Sequence, residues 1–432
     1  MLALAATLAI QALVSMAVLT PPVFAPLAAP AIGVAASETG IFMAFAYGGA
    51  SVASMASGAL LRRFGAMRLS QLCLVFCSIG VALVATAALP VVILGAIVLG
   101  LGYGPVTPAS SHILVRQAPP ARRAFIFSAK QTGVPLGGVL AGGLVPPLVV
   151  AFGWQGAAIA VGLCGCVLAL AVEPLRPRFD VEQTVVKSPS ALAGEGRGGG
   201  GGIGLDASWR RHPPPDPPER KSKGPQGGRG RLKQWGIFEG IRLVLSLASL
   251  RLLSLASFTF GATQLSFATF IVAFLTDAVG FDLVSAGSLL AVGQTAGIVA
   301  RLVWGWVADR FIAPWRLLSL LGFVMAGATV AVGLLTPAWP YAALVLVALV
   351  HGATAIGWNG IYLSEVARLA PPGTAGAATG GALAVTFLGI VTGPPLFSII
   401  VAMSGSYRPA FFATAALALL GGLACLVAGK RR

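Results

Sequence analysis

Long apolar runs separated by short polar punctuation fill most of this chain, each near the ~20 residues a helix needs to cross a bilayer. Cut at charged, proline and glycine positions, they fall near 4–27, 40–61, 69–88, 91–115, 122–150, 154–174, 251–276, 284–308, 315–336, 339–363, 374–402 and 409–429. About twelve segments result, six before a long polar insert and six after it. None alternates apolar and polar residues, so a closed strand barrel is excluded. In lipid, backbone hydrogen bonds must then close within each segment, and the pattern predicts α-helices. The first segment lacks the basic start and the cleavage site of a signal peptide, so it is expected to stay as a span.

The two sets of six echo each other. Gly58-Ala-Leu-Leu-Arg62-Arg63-Phe-Gly65 pairs with Gly305-Trp-Val-Ala-Asp309-Arg310-Phe311. Val115-Arg116-Gln-Ala-Pro119-Pro120 pairs with Ala367-Arg368-Leu-Ala-Pro371-Pro372, and Pro146-Pro147 then Trp154 pairs with Pro394-Pro395 then Tyr407. Order and offset are nearly constant. A hydrophobic chain built from two similar halves is expected to be an all-α integral membrane protein of two pseudo-symmetric six-helix bundles, the organisation of secondary transporters. The expected organisation is an N-terminal bundle at 1–174, a cytoplasmic linker with an interfacial helix at 175–250, and a C-terminal bundle at 251–432.

Composition narrows the class. The chain is 57% hydrophobic and 10% charged, against about 25% charged in a soluble domain, so the main solvent is lipid. The net charge of +16 comes largely from loops on one side and from the insert. One set of loops carries Arg62, Arg63, Arg68, Arg116, Arg122, Arg123, Arg310, Arg316 and Arg368, with the tail Lys430-Arg431-Arg432. The other set holds Arg408 beside Glu38, Asp277 and Asp282. The positive-inside bias puts both termini and the insert in the cytoplasm, in a bacterial inner membrane. No folded basic domain exists to carry nucleic acid. The insert, with a glycine run from Gly198 to Gly202 and a proline-rich stretch after His212, reads as a disordered tether. The helix expected between Trp235 and Leu250 is read as interfacial. Cys73, Cys77, Cys164, Cys166 and Cys425 lie in apolar runs without histidine at metal spacing, so no metal site, cofactor or disulfide framework is expected.

The echoed loop, a glycine followed by an Asp-Arg pair and further basic residues, resembles the cytoplasmic loop motif of the major facilitator superfamily. The second copy fits; the first has Arg62 where the family has aspartate. Phe127-Ser-Ala-Lys130-Gln131-Thr-Gly133-Val-Pro135-Leu-Gly137-Gly138 resembles the fifth helix of the bacterial cyanate-permease-like group. The arginine that proton-antiporter members carry ahead of a Gly-x-Gly in helix four is replaced by Ala96 before Gly100-Leu-Gly102. The resemblance implies a transporter and makes Gly58, Arg62, Arg63, Gly65, Gly305, Asp309, Arg310 and Arg368 gating candidates. On physical grounds, Gly58 and Gly305 are expected to let spans cross closely, and Asp309 is expected to pair with Arg368. Simple anchoring explains Arg62 and Arg63 as well.

Charges inside the spans point to the substrate. None of the acidic residues is expected deep in a helix, and Glu365 is placed near an end. Lys130 and Arg301 lie within spans, at a cost on the order of 3 kcal/mol each if unpaired. Lys130 shares a face with Gly133, Gly137 and Ala141; Arg301 shares one with Gln294, Gly297 and Gly305. Both faces are expected to point inward, one from each half, so the substrate supplies the missing counter-charge. Snorkelling of Lys130 and a bond from Arg301 to backbone carbonyls are the competing structural readings. Further polar candidates are His351, Gln264, Tyr103, Trp358 and Asn359, with Gly357-Trp358-Asn359-Gly360 expected to loosen the tenth span and free carbonyls.

The expected function is secondary active transport of a small organic anion by alternating access, in a monomer whose partners are substrate and lipid. Drug efflux on the same fold is the alternative. A membrane enzyme would need clustered acids, histidines or cysteines at a membrane edge, and a sensor would need an ordered soluble domain; the sequence has neither.

Overall fold

In the computed structural model, residues 2–117, 123–180 and 237–430 are described. The expectation of a disordered insert at 175–235 is overturned at 175–180, where Arg176–Phe179 is helical and Asp180 caps a neighbouring helix; the rest of it, from 181 on, lies outside the described residues.

The first half contains α1 (Leu2–Ile32), α2 (Thr39–Phe64), α3 (Ala66–Val84), α4 (Leu89–Tyr103), α5 (Val106–Gln117), α6 (Arg123–Gln131), α7 (Gly133–Ala171) and the short α8 (Arg176–Phe179). The second contains α9 (Ile237–Ser246), α10 (Ala248–Asp277), α11 (Leu283–Arg310), α12 (Pro314–Gly333), α13 (Tyr341–Gly357), α14 (Asn359–Leu369), α15 (Ala375–Ser404) and α16 (Tyr407–Lys430). These form eleven apolar helical stretches long enough to span a membrane, one of them the 54-residue run Ile126–Phe179. That run exceeds twice the length a bilayer needs. It breaks at Gly153, whose φ of +72° only glycine adopts freely. It therefore supplies two spans, the fifth and sixth, and the described residues cross twelve times. An even number of crossings puts Leu2 and Lys430 at one face, called here the terminal face; the opposite one is the distal face.

The echoes in the sequence fall at corresponding places. The charged loops end α2 and α11, and the paired prolines lie inside α7 and α15. Packing repeats as well. The second and fourth spans approach so closely that a Cβ on Gly100 would meet the Ala46 backbone. In the second half the eighth and tenth spans do the same, with Gly352 against Gly293. Gly137 sits on Ala12 and Ser15 between the first and fifth spans, and Gly393 on Ala262 between the seventh and eleventh. Small residues at these crossings let backbones touch where lipid gives no hydrophobic drive.

Between the halves, contacts run from the distal face inward. Ser398 Oγ donates to the Ser37 carbonyl, and Gly40 lies against Pro394. Deeper, Gly142 meets Gly287, and Gly138 meets the Gln294 side chain. At the terminal face α8 follows the sixth span and leads to Asp180. Its carboxylate accepts from the Met67 and Arg68 backbone N–H groups at 3.0 and 3.1 Å and so caps α3. The helix expected before the seventh span is present as α9, and its Gly240 seats on Gly381 of α15.

Candidate functional site

Among the described residues, three spans are interrupted within their length. The fourth breaks at Gly104-Pro105, the fifth at Thr132 and the tenth at Trp358. Proline chemistry exposes carbonyls at two of these breaks. A proline has no N–H to return to the carbonyl four residues before it. Pro108 leaves the Gly104 carbonyl free, and the Ser54 hydroxyl donates to it at 2.8 Å. Pro135 likewise leaves the Gln131 carbonyl free, and the acceptor is taken by the Arg301 guanidinium, whose Nη1 donates at 3.1 Å from the other half of the chain. Arg301 Nε donates at 3.1 Å to the Ile356 carbonyl beside the tenth-span break. One guanidinium thus joins helix breaks from both halves. The expectation that Gly357–Gly360 loosens the helix holds, and the carbonyl beside that break serves Arg301.

Lys130 is 1% exposed, so it does not snorkel to the surface. Its Nζ donates to Gln11 Oε1 at 2.9 Å, Thr107 Oγ1 at 3.2 Å and Gln131 Oε1 at 3.3 Å. Thr107 in turn donates to Gln11 Oε1 at 3.1 Å, and Gln11 Nε2 donates to Ser15 Oγ at 3.4 Å. Among the described residues, every hydrogen-bond partner of Lys130 and Arg301 is a neutral oxygen. A buried cation that is solvated but not neutralised keeps its attraction for an anion. Tyr103 lies within electrostatic reach of Arg301 and packs edge-on to Tyr47, ring centres 5.6 Å apart. Buried Gln294 rests against Gly138, about two helical turns from Arg301 on the same helix.

Of the residues singled out from sequence, Lys130, Arg301, Gln294 and Tyr103 come together on the seam between the halves. Gln264 and Asn359 are half-buried on α10 and at the tenth-span break. Two others belong elsewhere. Trp358 is 1% exposed, stacks edge-on with Phe260 and Tyr362, and donates its Nε1 to the Ala355 carbonyl. His351 is fully buried and stacked on Phe267 at 3.8 Å, with no hydrogen-bond partner for either ring nitrogen among the described residues. Both fill the packing of the second half. Gln11, Thr107 and Gln131 were missed as site residues. A buried glutamine in the first span and a residue four before a proline were the available signals.

The gating candidates sit at the terminal face, with two corrections. Gly58 and Gly305 mark no close crossing: a Cβ on Gly305 meets nothing within 4 Å, and one on Gly58 only Arg62 of its own helix. Arg368 does not pair with Asp309. Its Nε and Nη2 donate to the two carboxylate oxygens of Glu365, at 2.8 and 3.1 Å, and Asp309 is exposed. Glu365 is a fully buried carboxylate rather than a surface end residue, because α14 packs it inward three residues before Arg368. Gly65, at φ +86°, makes room for the Asp180 carboxylate. Arg63 lies over the Phe64 ring; Arg62 and Arg310 are exposed.

Twelve crossings, two halves packed alike and a buried polar cluster on their seam define a polytopic membrane protein. The chain belongs to the Major Facilitator Superfamily, whose sequence profile it matches over residues 6–380. It is therefore a multi-pass transporter and not an enzyme. It is 30% identical to the hexuronate transporter of Bacillus subtilis (strain 168) over 74 residues, 17% of this chain and 18% of that one. It is 32% identical to a probable nitrate/nitrite transporter of Mycobacterium tuberculosis over 146 residues, 33% of this chain and 34% of that one. The chain thus spans well under two thirds of either relative. Its fold matches a bacterial homologue of the human lysosomal transporter Spinster, in an inward-facing and occupied conformation, with a TM-score of 0.68, 15% identity and coverage of 99% and 96%. A nucleoside transporter variant matches with a TM-score of 0.68, 14% identity and coverage of 98% and 99%.

Proposed function

We propose that this transporter moves a small organic anion across a bacterial inner membrane by alternating access, as a monomer with both termini in the cytoplasm. The observation that carries the reading is the convergence of Lys130 and Arg301 on Gln131, one cation from each half, with neutral oxygens as their hydrogen-bond partners among the described residues. A bound anion supplies the missing counter-charge and draws the halves together. That differential attraction is what a substrate-driven closure requires. Relatives named for hexuronate and for nitrate or nitrite, both anions, agree with the charge of the site. Inter-half contacts on the distal side and the open surroundings of Gly58 and Gly305 support an inward-open resting state.

The test is ligand binding by the purified protein, read by calorimetry and by thermal stabilisation, with glucuronate, nitrate and an organic cation as probes. Lys130→Gln and Arg301→Gln should each weaken anion binding by about tenfold or more while the unliganded melting temperature changes little, the scale of one lost charge-assisted contact. Unchanged anion binding in both variants, or a preference for the cation, would overturn the reading.

A further inference from the structure

Gln131 gives one oxygen to each of the two cations. Its side-chain Oε1 accepts from Lys130 Nζ at 3.3 Å, and its main-chain carbonyl accepts from Arg301 Nη1 at 3.1 Å. The main-chain oxygen is available because Pro135 returns no N–H to it. The side-chain oxygen takes the last of the three ammonium hydrogens, the others going to Gln11 and Thr107. Both cations are therefore already engaged by the protein's own oxygens. An anion that binds them must replace bonds already made, and the Gln131 bond to Lys130 is the longest of its three.

We infer that Gln131 is a built-in surrogate for the substrate: its two oxygens hold Lys130 and Arg301 in the empty carrier, and two oxygens of the incoming anion displace them. The inference rests on the anion reading above. Displacement is favoured because amide and peptide oxygens solvate the cations without cancelling charge, whereas an anionic oxygen adds a direct charge–charge attraction to the hydrogen bond. The ligand class follows from the count of oxygens. A carboxylate or nitrate presents two or more oxygens and serves both cations, while a halide presents one atom. Position adds a consequence. Gln131 is the last residue before the break at Thr132. Releasing its carbonyl from Arg301 transfers the link between halves from the backbone to the ligand, and frees the fifth-span break to change angle. The surrogate also keeps donors of both cations hydrogen-bonded when no substrate is present, which avoids the cost of leaving them unpaired.

The sign of one substitution separates a surrogate from a ligand contact. Full-length protein is titrated calorimetrically with sodium glucuronate and sodium nitrate, with chloride as the single-atom control. Gln131→Ala removes the side-chain competitor and leaves the main chain, so the Kd for glucuronate should fall, by about threefold to tenfold for one exchanged hydrogen bond. Gln131→Glu tethers a carboxylate at the same atom and should weaken binding by about tenfold or more. The gain from Gln131→Ala should vanish when Lys130→Gln is added, because the competition acts through Lys130. Weaker binding in Gln131→Ala, with Lys130→Gln still deleterious, overturns the surrogate and leaves the anion site standing. Binding that is indifferent to Lys130→Gln, or wild-type protein that takes up neither anion, overturns both. Chloride binding as tightly as nitrate overturns the two-oxygen requirement. Unliganded melting temperatures of all variants identify any that fail to fold, and Gln131→Asn, which withdraws the same amide by one methylene, then stands in for Gln131→Ala with the same expected sign.

Discussion

Lys130 Nζ lies 2.9 Å from Gln11 Oε1, an amide oxygen where a carboxylate would have made an ion pair. Gln11 is 1% exposed and held on its other side by Ser15, so its orientation is fixed before substrate arrives. Its neutrality keeps the site cationic. Gln11→Glu, nearly identical in shape, should neutralise Lys130 and lower anion affinity by about tenfold or more, while raising or preserving the melting temperature. Titration with glucuronate beside thermal unfolding checks it. Full affinity in the variant would show that the charge of Lys130 is not what holds the ligand.

Arg301 should not tolerate lysine. Its guanidinium serves two carbonyls in different halves at once, Gln131 through Nη1 and Ile356 through Nε. A lysine ammonium carries the charge on a single point and lacks that fork. Arg301→Lys should therefore lose most transport in proteoliposomes, falling close to Arg301→Gln. Activity near wild type in Arg301→Lys would mean that charge alone suffices there.

Much of this was legible in the chain. Twelve spans, two halves and an inward-facing Lys130 and Arg301 followed from run lengths, echoes and helical spacing, because lipid permits few alternatives. The tertiary contacts were less legible. His351 and Trp358 looked like site residues because polar groups in spans are rare, yet neighbouring Phe267, Phe260 and Tyr362 absorb them, and no local pattern encodes which aromatic stacks on which. Asp309 and Arg368 looked complementary, but Glu365 lies one helical turn from Arg368 and forms the pair first. Gln131 was hidden because its role depends on a main-chain oxygen. Its one trace in the sequence is Pro135 four residues later.

Two glycines should respond in opposite ways. Gly352 has no room for a side chain against Gly293, so Gly352→Ala must push two spans apart. The expected cost is about 1–3 kcal/mol, seen as a lower melting temperature. Gly305 faces open space in this conformation. Gly305→Ala should leave the melting temperature unchanged but slow transport, because the same glycine must pack closely when the terminal face shuts. Transport by Gly305→Ala at the parent rate would remove Gly305 from the gate.

The terminal face should be the cytoplasmic one. Arg62, Arg63, Arg68, Arg310, Arg316 and Arg368 lie on its loops, against Arg408 with Glu38, Asp277 and Asp282 on the distal side. Insertion retains short basic loops on the cytoplasmic side, and the bias is large enough to fix one orientation for the whole chain. The odd and even spans then leave no freedom: if the loop before α11 is outside, the insert between the halves is inside. A protein with its native cysteines replaced can carry a single reporter at either place. Ala278→Cys, at an exposed position of the distal loop, should react with a membrane-impermeant maleimide added to intact cells. Gly200→Cys should react only after the cells are opened. The reverse pattern would invert the orientation and turn the open face of this structure outward, so that the state read here as inward-open would be the outward-open one.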